Sequence, residues 1–294
     1  MKFVTFTMDN VSKIGVMLDD DINVFTIDNV PEYQDCKTMV ELIAKMGTSG
    51  FRPLKFAILG APDVKTYKLA DLTLESPIPR PIHDVMCVGV NYNAHFEECQ
   101  AEMPMEKPES AVYFSKRSSC ILGATADIPH IAPCDDELDY EVELAVIIGE
   151  KCKDVKACDA EKYIFGYSIF NDLSARSLQK AHKQWYKGKG LDNTSVMGPY
   201  IVSKNEVAYP PQIDISCSVN GEIRQNSNTR MLIHDISSMI EDLSAGCTLE
   251  PGDILITGTP AGVGMGFNPP QYLKVGDIVE CKIEKLGAHC NKIV

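Results

Sequence analysis

The first 76 residues alternate short strand-like runs with polar turns. The strand-like runs are Phe3–Thr7, Ile14–Leu18 and Val24–Ile27, and turns rich in Asp and Asn separate them. Apolar residues then recur at helical spacing over Thr38–Met46. Short apolar runs bounded by turn residues are typical of strands, whereas apolar spacings of three and four residues are typical of helices. The pattern therefore predicts a small N-terminal α+β domain over residues 1–76.

A proline-rich stretch follows this first segment. Ser76-Pro77-Ile78-Pro79-Arg80-Pro81 is a poor candidate for a helix or a central strand, because proline lacks a backbone N–H and fixes its own φ angle. We place a domain boundary there, so that a second and larger domain is expected over residues 81–294.

Many short apolar runs lie beyond the boundary. The predicted strands are Val85–Val90, Ala111–Ser115, Tyr140–Gly149, Tyr163–Phe170, Ile213–Val219, Asp253–Thr257 and Ile278–Ile283. Asn220-Gly221 follows one of them and predicts a two-residue hairpin turn into Glu222–Arg224. The best helix runs over Met231–Ala245, with Gly246 as its stop. This density of strands indicates an α+β, β-rich fold class, built as a sandwich or roll.

Composition and charge exclude several classes of function. The net charge is −13, which argues against nucleic acids and anionic membranes, because both attract a basic surface. The longest apolar runs fall far short of the roughly 20 residues that span a bilayer. Eleven cysteines without a Cys-x-x-Cys motif indicate reduced thiols rather than a disulfide framework or a zinc site. We expect a cytoplasmic protein that binds neither nucleic acid nor membrane.

Two glutamates flank one apolar residue in a predicted strand. Glu141 and Glu143 alternate with Val142, so both carboxylates point to one face, about 7 Å apart. A hydrated surface is the simpler interpretation of such a pair. A third carboxylate, Asp172, ends the next apolar strand, although it could serve only as the cap of the following turn. Three carboxylates at strand ends predict an oxygen site for magnesium, manganese or calcium.

A histidine and a glutamate lie three residues apart after the strand Val85–Val90. His95 and Glu98 are neighbours if this segment is helical. A histidine oriented by a carboxylate is a common proton-transfer pair, and an ordinary surface pair is the alternative. The glycine-spaced lysines of Lys187–Asp192 could direct an ammonium group at an anion. Gly262–Gly266 matches neither the dinucleotide fingerprint nor the phosphate loop, so we expect no nucleotide.

Together these segments resemble the fumarylacetoacetate hydrolase family, from about Pro81 to the C-terminus. The motifs that carry the resemblance, in the family's order, are Gly89-Val90-Asn91-Tyr92 with His95 and Glu98, Phe114-Ser115-Lys116, Asp139-Tyr140-Glu141-Val142-Glu143-Leu144, Asn171-Asp172-Leu173-Ser174-Ala175-Arg176, Lys189-Gly190-Leu191-Asp192, Gly198-Pro199, Val219-Asn220-Gly221 and Gly258-Thr259-Pro260-Ala261-Gly262-Val263. The resemblance implies a mixed β-sandwich roll, the fumarylacetoacetase C-terminal-like fold, in a protein that is usually a homodimer.

The resemblance also implies a site. Residues matching Glu141, Glu143 and Asp172 would hold Mg²⁺ or Mn²⁺, with Ca²⁺ as an alternative. The implied catalytic residues are His95 and Glu98, on a lid that would include Met103-Pro104-Met105, and Lys189 near the reacting oxygens. The residues implied to contact a small anionic 2-oxo acid are Arg176, Gln179, Lys116 and Thr259.

Two reactions have about equal weight at such a site. The first is metal-dependent hydrolysis of a C–C bond in a 2,4-dioxo acid of the acylpyruvate or fumarylpyruvate type through a metal-bound enolate, with His95 activating water. The second is enol–keto tautomerisation or decarboxylation of a 2-oxo dioic acid such as oxaloacetate. Fold and site do not choose between them. A non-catalytic metabolite-binding module is a third hypothesis, which the set of charged groups disfavours.

Overall fold

The computed structural model describes residues 1–61, 64–100, 106, 109–131 and 134–294. The strands in these ranges are β1 (Lys2–Met8), β2 (Val11–Met17), β3 (Asn23–Thr26), β4 (Tyr67–Lys68), β5 (Thr73–Leu74), β6 (Val85–Gly89), β7 (Val112–Lys116), β8 (Leu138–Asp139), β9 (Val142–Ile148), β10 (Ile164–Asp172), β11 (Ser174–Ala175), β12 (Ser195–Ser203), β13 (Asp214–Val219), β14 (Glu222–Asn228), β15 (Ile254–Ile256), β16 (Ile278–Ile283) and β17 (Gly287–Lys292). The helices are α1 (Met39–Met46), α2 (Phe51–Leu59), α3 (Asn93–Cys99), α4 (Arg176–Ala181), α5 (Tyr186–Lys189) and α6 (Ile236–Ser244). The segment Met103-Pro104-Met105, expected to belong to a lid, lies outside the described residues.

One large mixed sheet contains most of the strands. Its order is β4-β3-β2-β1-β12-β10-β9-β15-β6-β7, with β5 paired to β1. The pair β15–β6 is parallel, whereas β9 and β10 are antiparallel to their neighbours. The N-terminal strands continue this sheet, because β1 pairs with β12 through Lys2↔Val202 and Phe3↔Ile201. The large sheet thus contains strands from both sides of the domain boundary that we expect at residues 76–81.

A second sheet, of order β14-β13-β16-β17, packs on one face of the first. Leu144 and Val146 of β9 share a buried cluster with Ile215 of β13. Ala145 and Ile147 of the same strand point the other way, into a cluster that includes residues of α1 and α2. Because successive side chains alternate between the faces of a strand, β9 is buried on both sides. This arrangement confirms the predicted β-rich sandwich.

The hairpin and two of the helices show how local signals act. Asn220 and Gly221 both adopt positive φ and join β13 to β14, as the Asn-Gly turn predicts. Thr38 caps α1 through a capping box with Glu41. The helix expected over Met231–Ala245 begins later, at Ile236, because the Asp235 side chain accepts the Ser238 N–H and caps α6 there.

Several elements of the structure are absent from the predicted set. The sequence of β12 contains Gly198-Pro199, which signals a break, yet the strand continues and the β10–β12 register shifts between Tyr167 and Ile169. The helix α2 and the strand β17 were also not predicted. The longest described helices have nine residues, and none in the described ranges is long and apolar enough to cross a membrane.

Candidate metal centre

Three carboxylates meet where the two central strands end. Glu141 directly precedes β9, Glu143 lies within it, and Asp172 is the last residue of β10. The antiparallel pairing brings these ends together, and the Asp172 N–H donates to the Glu141 carbonyl at 2.9 Å. One oxygen from each carboxylate lies within 4.8 Å of the others. All three side chains are buried, so the solvent-exposed interpretation of the Glu-x-Glu pair is wrong.

Three hard oxygen donors at this spacing fit a divalent cation. The charges alone would repel one another in a buried environment. Burial, with the nearby charges of Asp172 and Glu141, raises the pKa of Glu143 well above its usual range. A bound cation would relieve this repulsion. The donor set therefore supports a divalent-metal site.

Basic side chains surround the three carboxylates. The Lys189 ammonium group lies 2.6 Å from Glu141 Oε2 and 2.6 Å from Asp172 Oδ2. Arg176 Nη2 lies 2.6 Å from Glu141 Oε1, and Lys116 Nζ lies 2.8 Å from Asp172 Oδ1. Burial disfavours the charged form of Glu141, but Lys189 and Arg176 outweigh burial and lower its pKa to about 2. Glu141 is therefore ionised at neutral pH.

Lys116 lies behind Asp172, away from the cavity that the other predicted residues line. It is fully buried, and its ammonium group donates to the Leu173 carbonyl at 2.9 Å and to the Lys189 carbonyl at 2.5 Å. The Thr194 hydroxyl is a third partner at 3.3 Å. The position favours a role in holding Asp172, whereas the sequence predicts substrate contact for Lys116.

Arg176 and Gln179 occupy the first turn of α4 and point to the same cavity. Arg176 Nη1 donates to Gln179 Oε1 at 2.9 Å, and its Nε donates to Asp139 Oδ2 at 2.9 Å. Asp139 also accepts the backbone N–H groups of Gly264 and Met265, at 2.6 and 3.0 Å. Asp139 was not among the predicted site residues, although it opens the motif that contains the two glutamates. The Asp139 carboxylate therefore holds both the Arg176 side chain and the glycine loop of residues 262–266.

His95 and Glu98 form the expected pair on α3. His95 Nδ1 lies 3.1 Å from Glu98 Oε2, and Glu98 Oε1 accepts the Gly262 N–H at 2.9 Å. The Cys99 thiol lies 3.5 Å from His95 Nε2. Burial lowers the pKa of His95, but the hydrogen bonds with Cys99 and Glu98 outweigh burial and raise it to about 10. His95 is 5% exposed, so the surface-pair alternative is wrong.

The segment after β15 closes the floor of the site. The Gly258 N–H donates to Glu143 Oε2 at 2.7 Å, and the Thr259 hydroxyl donates to the Val142 carbonyl at 3.0 Å. Gly258 has a φ of 93°, and a Cβ there would lie 2.7 Å from the Asn91 Cβ. Glycine is required at this position both for the backbone conformation and for the close approach of Asn91.

A cavity of about 420 Å³, including its open mouth, joins these groups. The predicted residues that line it are His95, Glu141, Glu143, Arg176, Gln179, Lys189 and Thr259. Glu98, Lys116 and Asp172 stand behind this lining. Phe114 and Trp185 form an apolar part of the wall, with ring centroids 5.3 Å apart in an edge-on arrangement. Trp185 was not predicted, and its only sequence signal is that it is the single tryptophan.

Known proteins resemble the chain over its whole length. The family model described as fumarylacetoacetate (FAA) hydrolase C-terminal matches residues 84–294. The chain is 35% identical over 307 residues to the oxaloacetate tautomerase YisK of Bacillus subtilis (strain 168), with 100% of both chains covered. It is 39% identical over 296 residues to the mitochondrial oxaloacetate tautomerase Fahd2a of Rattus norvegicus, covering 100% of this chain and 92% of that protein. The solved maleylpyruvate hydrolase of Sphingobium sp. SYK-6, in complex with manganese(II) ion and pyruvate, superposes with a TM-score of 0.79 at 30% identity, covering 100% of this chain and 99% of that one.

Proposed function

The chain belongs to the fumarylacetoacetate hydrolase family and is an enzyme, and from this premise we propose that it catalyses enol–keto tautomerisation of oxaloacetate or a closely similar 2-oxo dioic acid. Two full-length relatives are named oxaloacetate tautomerases. They favour the second of the two reactions expected from the sequence over hydrolysis of an acylpyruvate. The observation that carries the proposal is a buried proton-transfer pair that shares one cavity with an acidic metal site.

The acidic triad defines the proposed cofactor. Glu141, Glu143 and Asp172 would hold Mg²⁺ or Mn²⁺, and Ca²⁺ also accepts such donors. When bound, the cation would polarise the 2-oxo group of the substrate and acidify the adjacent C–H bond. The manganese in the maleylpyruvate hydrolase structure supports this class of ion.

Cationic and amide side chains would bind and orient the substrate. Arg176 and Gln179 lie side by side on the cavity wall and can bind a substrate carboxylate. Lys189 also lines the cavity, where its ammonium group can stabilise negative charge that develops on the 2-oxo oxygen. These cations would allow a chain with a net charge of −13 to bind a dianion.

His95 would move the proton. Its raised pKa leaves the imidazole protonated at neutral pH in the metal-free chain. From this form it can donate a proton to C3 of the enol and then accept the proton of the enol hydroxyl. One proton is added and one removed, so the isomers balance without water. Glu98 orients the ring through Nδ1, so Nε2, which lies 3.5 Å from the Cys99 thiol, would be the nitrogen that transfers the proton.

Hydrolysis of a 2,4-dioxo acid is the second candidate, because a maleylpyruvate hydrolase is 30% identical over the whole chain. The same histidine could activate a water molecule instead of protonating carbon. The two reactions differ in their products, since hydrolysis splits the substrate and releases pyruvate from acetylpyruvate. Product analysis therefore separates them.

The test compares two substrates on one metal-stripped preparation. Mg²⁺ or Mn²⁺ is restored, and the enol absorbance is followed for oxaloacetate and acetylpyruvate while pyruvate is assayed. We expect accelerated loss of the oxaloacetate enol without pyruvate, and no turnover of acetylpyruvate. Glu98→Gln should slow the reaction, while Glu97→Gln, an exposed neighbour on α3, serves as the matched control. Acetylpyruvate loss with matching pyruvate would establish hydrolysis instead.

A further inference from the structure

Every carboxylate oxygen of Glu141 and Asp172 faces a cationic side chain. Arg176 contacts Glu141 Oε1, Lys116 contacts Asp172 Oδ1, and Lys189 contacts the second oxygen of both residues. The distances are 2.6 to 2.8 Å, which is direct contact between charged groups. A divalent cation that binds these two carboxylates must therefore share an oxygen with one of the three cations or displace it.

Two of these three cations are fastened elsewhere. Lys116 is fully buried and donates to two backbone carbonyls as well as to Thr194. Arg176 also donates to Asp139 and to Gln179. Neither can leave its carboxylate without breaking these further bonds in a buried environment, where lost hydrogen bonds are costly.

Lys189 differs from the other two cations. Among the described residues, the contacts of its ammonium group are with Glu141, Asp172 and the face of the Phe114 ring, whose centroid is 5.3 Å away. Its side chain also lines the cavity, so the ammonium group can move there. Displacing Lys189 frees one oxygen on each carboxylate, which no other single movement achieves.

We propose that Lys189 is an internal cation that competes with the divalent metal for Glu141 and Asp172, so that metal binding moves its ammonium group towards the substrate cavity. The reason is electrostatic, because a dication and an ammonium group repel strongly when they share carboxylates in a region of low dielectric constant. Metal binding then prepares the lysine for the substrate. This inference rests on the metal centre of the proposed function, but not on the identity of the substrate.

Trp185 provides a reporter for this movement. It is the single tryptophan and directly precedes α5, the helix that ends at Lys189. The Lys189 N–H donates to the Trp185 carbonyl at 3.0 Å. The Phe114 ring is near both side chains, because its centroid lies 5.3 Å from the ammonium group and 5.3 Å from the centroid of the Trp185 ring. A shift of the ammonium group should change the tryptophan emission.

The experiment titrates metal-stripped protein with Mg²⁺ and follows binding by calorimetry and by tryptophan emission. We expect the wild type to show a saturable change in emission. Lys189→Met should bind Mg²⁺ at least about tenfold more tightly, because a competing unit charge is gone, and should lose the emission change. Lys187→Met removes an equal charge from an exposed position on α5 and should behave like the wild type. Lys189→Arg keeps the charge, can contact both carboxylates with its planar fork, and should bind Mg²⁺ more weakly than the wild type.

The outcomes separate this inference from the metal centre itself. Unchanged or weaker Mg²⁺ binding by Lys189→Met would overturn the competition. Tighter binding with the emission change retained would overturn the displacement, since the emission change would then not arise from movement of Lys189. If Lys189→Met does not fold, Lys189→Arg decides, and equal or tighter binding by that variant overturns the proposal. Failure of the wild type to bind Mg²⁺ or Mn²⁺ would overturn the metal centre as well.

Discussion

The His95–Glu98 pair is built differently from the carboxylate–cation cluster, whose members are Glu141, Asp172, Lys116, Arg176 and Lys189. The cluster stands at the ends of β9 and β10, two central strands of the large sheet, and its members contact one another at 2.6 to 2.8 Å. The pair lies on the seven-residue helix α3. Glu98 links this helix to the glycine loop of residues 262–266, because it accepts the Gly262 N–H. The cluster is thus fixed by the core of the fold, whereas the pair depends on a few contacts.

The glycine loop of residues 262–266 shows how the helix is held. A Cβ on Gly262 would lie 1.9 Å from the Arg224 carbonyl oxygen, and one on Gly266 would lie 2.1 Å from Glu98 Oε1. The loop can approach α3 and β14 only because these positions carry no side chain. Asp139 anchors the same loop to Arg176. Substitutions in the cluster should therefore alter metal binding, while substitutions in the pair should alter turnover and leave metal binding unchanged.

The largest effect is expected for Asp172→Asn. This change leaves the fully buried Lys116 and the buried Lys189 without one counter-charge, so the free energy of unfolding should fall by about 3–5 kcal/mol. Metal binding and turnover should be lost. Urea unfolding and calorimetric Mg²⁺ titration measure the two effects separately.

Glu143→Gln is the matched control for this prediction. Burial and the charges of Asp172 and Glu141 raise the pKa of Glu143 well above its usual range, so the fold disfavours the charged form of this side chain. The amide should change metal-free stability by less than about 1 kcal/mol while still removing a metal ligand. Equal destabilisation by the two variants would contradict the assignment of charges within the cluster.

The second effect concerns turnover rather than metal binding. His95→Gln keeps a polar side chain on α3 but cannot carry the proton, so kcat should fall by roughly 10²–10⁴-fold. The affinity for Mg²⁺ should stay within about twofold of the wild type, since His95 is not among the three carboxylates of the metal centre. Steady-state kinetics and calorimetry test the separation. A large loss of metal affinity would show that the two regions are not independent.

Much of the site could be predicted from short motifs. Glu141, Glu143 and Asp172 follow from the alternation of carboxylates with apolar residues at strand ends, and the structure brings them within 4.8 Å. The pair His95 and Glu98 follows from helical spacing. These signals are local in sequence and therefore readable. The strand-rich sandwich is confirmed, and it was predictable because most of the longer strands carry a local pattern of apolar positions.

The remaining parts depend on long-range contacts. The position of Lys116 behind Asp172 is set by carbonyls at residues 173 and 189, which no local pattern links to it. The structural role of Asp139 likewise appears only when the loop near residue 264 folds back. Strand β12 was missed because Gly198-Pro199 signals a break. The domain boundary at residues 76–81, the homodimer and the cytoplasmic location stay predictions.

The third effect is a dependence of stability on pH. The raised pKa of His95, about 10 in the folded metal-free chain, exceeds the value of about 6.5 expected in the unfolded chain. The stabilisation from charged His95 is therefore complete below about pH 6.5 and is lost as the pH rises through about 10. Between pH 6 and pH 10 the free energy of unfolding of the wild type should fall by a few kcal/mol, the order of magnitude that the pKa shift of His95 sets. The free energy of unfolding of His95→Gln should fall by less over the same range. Urea unfolding at both pH values tests this, and parallel losses in the two proteins would refute it.

The smallest effect should come from the turn that joins α3 to the large sheet. Val90 connects β6 to α3 at a φ of 56°, in the left-handed region that a β-branched residue adopts at a cost of roughly 1–2 kcal/mol. Val90→Gly relieves this strain but adds roughly 0.5–1 kcal/mol of unfolded-state entropy and removes a cavity-lining side chain. The free energy of unfolding should therefore stay within about 1 kcal/mol of the wild type. Val88→Gly, at a buried position within β6, should cost more than about 2 kcal/mol by urea unfolding. An equal loss of unfolding free energy in the two glycine variants would show that Val90 is unstrained.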